Sequence, residues 1–146
     1  MGLGVDHRMV SCDRLPDTRA RQLTISALPG RLAVCRFEPT APVPTWAASG
    51  LLTSVTRTPE EVSVVCAEAA VPDGVKCETG WRCLCIRGPL VFSEIGVISS
   101  LAAVLATAGI GIFVVSTYDT DYFLVKEERL EAAQAVLASA GYVIEH

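Results

Sequence analysis

Gly111-Ile-Phe-Val-Val-Ser-Thr-Tyr-Asp-Thr-Asp121 sets the apolar run Ile112 to Val115 directly before a turn that carries two carboxylates and four hydroxyls. A second apolar run, Asp121 to Val125, follows at once, so the stretch reads as two strands joined through Thr117-Tyr-Asp-Thr120. Burial that stops abruptly at polar groups is how a strand delivers contacts to a ligand. No other part of the chain carries as dense a set of chemically useful side chains.

Working outward, each strand of this pair has a helical pattern on its far side. From Ser93 to Ala108, the residues Val97, Ile98, Leu101, Val104 and Leu105 recur at one-face helical spacing, and Gly109 ends the pattern. From Glu127 to Ala140 the stripe is Leu130, Ala133, Leu137 and Ala140, with Glu127, Glu128 and Glu131 in the first turns, where the helix dipole favours negative charge. Gly141 ends this helix, and Tyr142-Val-Ile144 reads as a closing strand. Ahead of the first helix, Trp81 to Arg87 alternates, with Leu84 and Ile86 on one face and Trp81, Cys83 and Cys85 on the other. The order is strand, helix, strand, strand, helix, strand. Both helices leave through similar sequences, Val104-Leu-Ala-Thr-Ala-Gly-Ile110 and Val136-Leu-Ala-Ser-Ala-Gly-Tyr142, as the two halves of a split βαβ sandwich would.

The first half of the chain is less regular. Leu23 to Leu28 and Leu32 to Phe37 read as strands, and the Pro29-Gly30 dipeptide between them predicts a hairpin. Pro39, Pro42 and Pro44 limit the next stretch to a short helix around Trp46. Leu51 to Val55 and Val62 to Cys66 predict two more strands, and Val71 to Gly80 carries the strongest boundary signal in the chain. The expected division is therefore a lead-in over 1–21, a first unit over 22–72, a linker over 73–80 and a second unit over 81–146.

Composition narrows the function classes. With 146 residues, 51% of them hydrophobic, and a mean hydropathy of +0.42, the chain has enough apolar surface for a packed core. The net charge of -4 comes with basic residues scattered singly, so no nucleic-acid partner is expected. The longest apolar stretch, Ile95 to Val115, is interrupted by Gly96, Gly109 and Gly111 and reads as a core helix plus a buried strand, so no membrane partner is expected either. Met1 to Leu15 lacks the apolar segment of a secretory signal, which predicts a cytoplasmic location. Six cysteines in that setting read as reduced thiols, with Cys35 and Cys66 as small core residues. The two histidines, His7 and His146, lie near opposite ends, so neither a metal site nor a cofactor is expected.

Together, the element order, Gly88-Pro-Leu-Val-Phe-Ser-Glu-Ile-Gly96, the Ala108-Gly109-Ile110 helix exit and Ser116-Thr-Tyr-Asp-Thr-Asp121 resemble an ACT domain. More narrowly, the chain resembles bacterial tandem ACT proteins related to the CASTOR-type arginine sensors and the regulatory part of aspartate kinases. The resemblance implies an α+β fold of two tandem ferredoxin-like (βαββαβ) ACT domains, the N-terminal one degenerate with reduced helices. It also implies a site between two ACT domains. The loop Val91 to Val97, with Glu94, Ile95 and Gly96, would hold a carboxylate on backbone N–H groups, and Glu94 would read a basic side chain. Thr117, Tyr118 and Asp121 occupy the family's Thr-aromatic-x-x-Asp positions, with the acid against a cationic group. Gly111 and Ile112 would come from the partner domain, Gly111 standing where the arginine sensors have serine.

The function so implied is a non-catalytic cytoplasmic amino-acid sensor that binds a free polar or basic amino acid such as arginine. A homodimer and an unidentified downstream protein are the expected partners. Two rival readings stand beside it, a ligand-free ACT module that binds another protein and a small enzyme using Glu94 and Asp121 as an acid–base pair. Against the enzyme, no cysteine or serine has a visible base partner in the sequence. Each site residue also has a plainer role: Asp121 as a turn former, Glu94 as a dipole-stabilising residue, and Gly96 and Gly111 as packing positions.

Overall fold

The computed structural model describes residues 23–87 and 96–146. The described residues form a mixed α+β fold of eight strands and two α-helices. The strands are β1 (Thr24–Ala27), β2 (Leu32–Phe37), β3 (Ser54–Arg57), β4 (Val62–Ala67), β5 (Cys77–Ile86), β6 (Phe113–Ser116), β7 (Asp121–Lys126) and β8 (Val143–Glu145). The helices are α1 (Val97–Thr107) and α2 (Leu130–Ser139). The second half therefore has the expected strand–helix–strand–strand–helix–strand order.

One hydrogen-bonded sheet contains all eight strands, and β5 is its hub. Along one edge of β5 run β2, paired at Cys35↔Cys77 and Leu32↔Trp81, and then β1, paired at Ala27↔Leu84 and Ile25↔Ile86. On the other edge β7 pairs antiparallel from Trp81↔Lys126 to Cys85↔Tyr122, and β6 pairs with β7. β8 pairs in parallel with β1, so β1 lies between β8 and β5.

This pairing corrects the hairpin expected at Pro29-Gly30. β1 and β2 both run antiparallel to β5 along the same edge, one after the other, as a single interrupted strand. The Leu28 N–H donates to the Cys83 carbonyl at 2.9 Å, continuing the ladder past β1. A Pro-Gly signal marks a local departure from extended geometry, and a kink satisfies it as well as a reversal. Pairing with β5, distant in sequence, decides between them.

Alternation along the strands separates the core into layers. Leu84, Ile86, Phe123 and Val125 face Val97, Leu101, Leu105, Ala133 and Leu137 of the helices, with Ile25 of β1 in the same cluster. The opposite faces of β5 and β7 contribute Cys83 and Leu124, which pack with Leu32, Leu52, Val65 and Val115. The outer face of β2 and β4 buries Ala33, Cys35, Val62, Val64 and Cys66 under Ala47 and Trp46 of a single 3-10 turn, Thr45–Ala48, the short helix expected there. Ile98 departs from the expected stripe: it is 39% exposed, because α1 buries the narrower row Val97, Leu101, Leu105. Among the described residues no helix is long and apolar enough to cross a membrane.

Candidate functional site

The β6–β7 connection is built from its own hydroxyls. The Thr117 N–H donates to the Thr120 carbonyl at 2.8 Å, and the Thr117 Oγ1 hydroxyl donates to the same oxygen at 3.1 Å. The Thr120 N–H in turn donates to Thr117 Oγ1 at 3.3 Å. Thr117 thus holds the turn in shape. Tyr118 projects from the tip at 80% exposure, and Asp121 is half-buried at the start of β7 opposite Ser116.

Thr120, not singled out by the sequence, anchors this turn to the hub strand. Its Oγ1 donates to the Ile86 carbonyl at 2.8 Å, at the last residue of β5. The turn therefore sits beside the point where the chain leaves β5 toward α1. A threonine at that place has no sequence signal beyond polarity, since its partner lies 34 residues away. At the same end, Arg87 pairs with Glu145 of β8 at 3.0 Å.

Of the loop expected to hold a carboxylate, Val91, Glu94 and Ile95 lie outside the described residues. Gly96 is described: it occupies the N-cap of α1 with φ 88°, ψ 2°, a left-handed conformation that side chains disfavour. Its carbonyl accepts from the Ser100 N–H at 2.9 Å and from the Ser99 hydroxyl at 3.2 Å. Among the described residues no side chain caps this helix start. Uncapped N–H groups at the positive end of a helix suit an anionic group. Val97 is buried in the helix-packed core, so only its backbone can face such a group.

Gly111 is exposed and Ile112 packs against the helix layer, both just ahead of β6. Thr117 lies just beyond its other end. Five residue steps at roughly 3.3 Å each put Ile112 about 16 Å from Thr117 along an extended strand. The structure thus groups Thr117, Tyr118 and Asp121 in one turn and separates them from Gly111 and Ile112.

None of these residues lines the cavity of about 420 Å³ beside the β1–β2 kink, which Leu28, Leu32, Leu51, Leu52, Arg31 and Glu68 enclose. There Arg31 pairs with Glu68 at 2.6 Å and with Glu127 at 3.2 Å, contacts that raise its pKa. Among the described residues no group of three acidic, histidine or cysteine side chains is placed to hold a metal ion.

Residues 76–139 match the ACT domain family, and residues 30–74 match a separately defined N-terminal domain. The chain therefore carries an ACT domain over residues 76–139. Its relatives include the Agrobacterium tumefaciens protein Atu0741, 38% identical, covering 86% of this chain and 95% of that one with a TM-score of 0.80. A Vibrio cholerae protein of unknown function, described as a possible transport protein, shares the fold at 19% identity, covering 84% of this chain and 92% of that one, TM-score 0.64. The regulatory subunit of aspartate kinase from Thermus thermophilus shares it at 14% identity, covering 77% and 93%, TM-score 0.57. No curated protein sequence matches the chain.

Proposed function

We propose that this protein is a non-catalytic cytoplasmic sensor that binds a free polar or basic amino acid, arginine among the candidates, and relays occupancy to a downstream protein. The observation that carries the reading is the division of the candidate site between the two ends of β6 in a chain with an ACT domain. Two fragments about 16 Å apart on one strand cannot line one amino-acid pocket. In a two-fold dimer they would belong to two pockets, because each end then meets the opposite end of its partner.

The start of α1 would take the ligand carboxylate, with Gly96 permitting close approach of the backbone. Asp121, with Glu94, would accept from the cationic groups, and Tyr118 would cover the ligand. Val91, Ile95 and Val97 would complete the loop, and Gly111 with Ile112 of the partner protomer would form the far wall. Likeness to an aspartate kinase regulatory subunit supports the regulatory role at the level of fold. The chain would work as two tandem ACT units, over 22–72 and 81–146, the second completed by β1 inserted between β5 and β8.

Isothermal titration with each of the twenty amino acids tests this. Micromolar binding of a polar or basic amino acid is expected, lost in Asp121→Ala with the unliganded melting temperature kept. No heat with any of the twenty would contradict the proposal.

A further inference from the structure

Three of the cysteines meet on one face of the sheet. Cys35 on β2, Cys66 on β4 and Cys77 at the start of β5 share the outer cluster, and the Cys66 and Cys77 thiols both lie near enough to Cys35 to help hold its proton on. Cys35 and Cys77 are direct cross-strand partners, while Cys35 faces Val64 on β4, which puts Cys66 two residues along on the diagonal.

The hydrogen bonding fixes which kind of partners they are. The Arg36 N–H donates to the Lys76 carbonyl at 2.9 Å, so the bond joins the residue after Cys35 to the residue before Cys77. That is the mark of a non-hydrogen-bonded antiparallel pair, whose Cα atoms stand about 4.5 Å apart with side chains on the same face. A disulfide spans Cα separations of roughly 4.4–6.8 Å. The Cys35–Cys66 diagonal, at about 7–8 Å, is too long to bridge without backbone movement.

We propose that Cys35 and Cys77 are a reversible thiol–disulfide pair, oxidised by a peroxide and restored by a small-molecule thiol. Cys77 is half-buried and Cys35 fully buried, so the reagent meets Cys77 first. The Cys77 sulfur attacks one peroxide oxygen, giving a sulfenic acid and one water. The Cys35 sulfur then attacks the Cys77 sulfur; the S–S bond forms, the S–O bond breaks, and hydroxide leaves with the Cys35 proton as a second water. Two thiols have lost two electrons in all to one peroxide. The bridge would pin β2 to β5 at the end away from the irregularity between Leu32 and Val34.

The test uses the full chain, treated with hydrogen peroxide or with reductant, alkylated and digested with trypsin without reduction. Cleavage after Arg31, Arg36, Lys76 and Arg82 isolates Cys35 and Cys77 on separate short peptides, and the proposal expects these two joined in the oxidised sample only. Closing this loop should raise the melting temperature by about 10 °C, an increment that dithiothreitol reverses. Cys66→Ser should retain the link and Cys77→Ser should lose it, each remaining folded by circular dichroism. The proposal is overturned if peroxide takes Cys77 to the sulfinic acid with no link, if Cys77 joins any other cysteine, or if the linked protein melts no higher than the reduced one.

Discussion

Replacing Ile25 by alanine tests the placement of β1 most sharply. Ile25 is 1% exposed and sits in the cluster that holds α1 and α2 to the sheet, although it lies 72 residues before Val97 in the chain. The substitution removes three carbon atoms from a buried site. At about 0.8 kcal/mol per methylene the transfer loss is near 2.4 kcal/mol, and the cavity left behind brings the total to about 3–4 kcal/mol. For a domain of this size that corresponds to a fall in melting temperature of about 6–16 °C. Urea unfolding followed by circular dichroism measures the total, and amide hydrogen exchange locates it. Because β1 joins β5 to β8 under the helices, protection should fall in α1, α2 and β8. A loss below about 1 kcal/mol, or one confined to β2, β3 and β4, would refute the inserted position of β1 and restore a β1–β2 hairpin.

Thr120→Val deletes the hydroxyl that donates to Ile86, and should cost about 1 kcal/mol while loosening the β6–β7 turn; weaker amino-acid binding than the stability loss explains would mark Thr120 as a positioning residue. Gly96→Ala forces a side chain into a left-handed conformation and should cost about 1–2 kcal/mol by urea unfolding, with ligand-induced stabilisation lost as well; an unchanged midpoint would contradict the α1 start described above. Burial pushes the Cys35 and Cys83 thiols up to about 12, with the neighbouring cysteines adding to it, from an ordinary 9.0. The folded state holds these protons more tightly than the unfolded chain, so their contribution is complete below pH 9 and is lost as pH rises towards 12. Urea midpoints should fall across that window, and less steeply in Cys83→Ala; identical slopes would contradict a buried, protonated Cys83.

The second half of the fold was legible because its signals are local. Leu101, Leu105, Ala133 and Leu137 repeat at helical spacing, Gly109 and Gly141 follow the helix ends, and Leu84 and Ile86 alternate with Cys83, all readable within a short window. The path of β1 and β2 was not, because a Pro-Gly dipeptide reads alike in a kink and in a hairpin, and β5 decides from some fifty residues away. Thr117, Tyr118 and Asp121 could be placed on one turn from sequence, but the anchor of that turn, Thr120 on Ile86, is a long-range contact. For the same reason the Cys35–Cys77 pairing has no signature in residue spacing.

Native mass spectrometry of freshly purified full-length protein, with and without added amino acids, tests the sensor reading most directly. The account predicts a homodimer that carries two copies of one polar or basic amino acid, lost together in Asp121→Ala. A chain that stays free of adduct with every one of the twenty, or that binds one copy as a monomer, would contradict it.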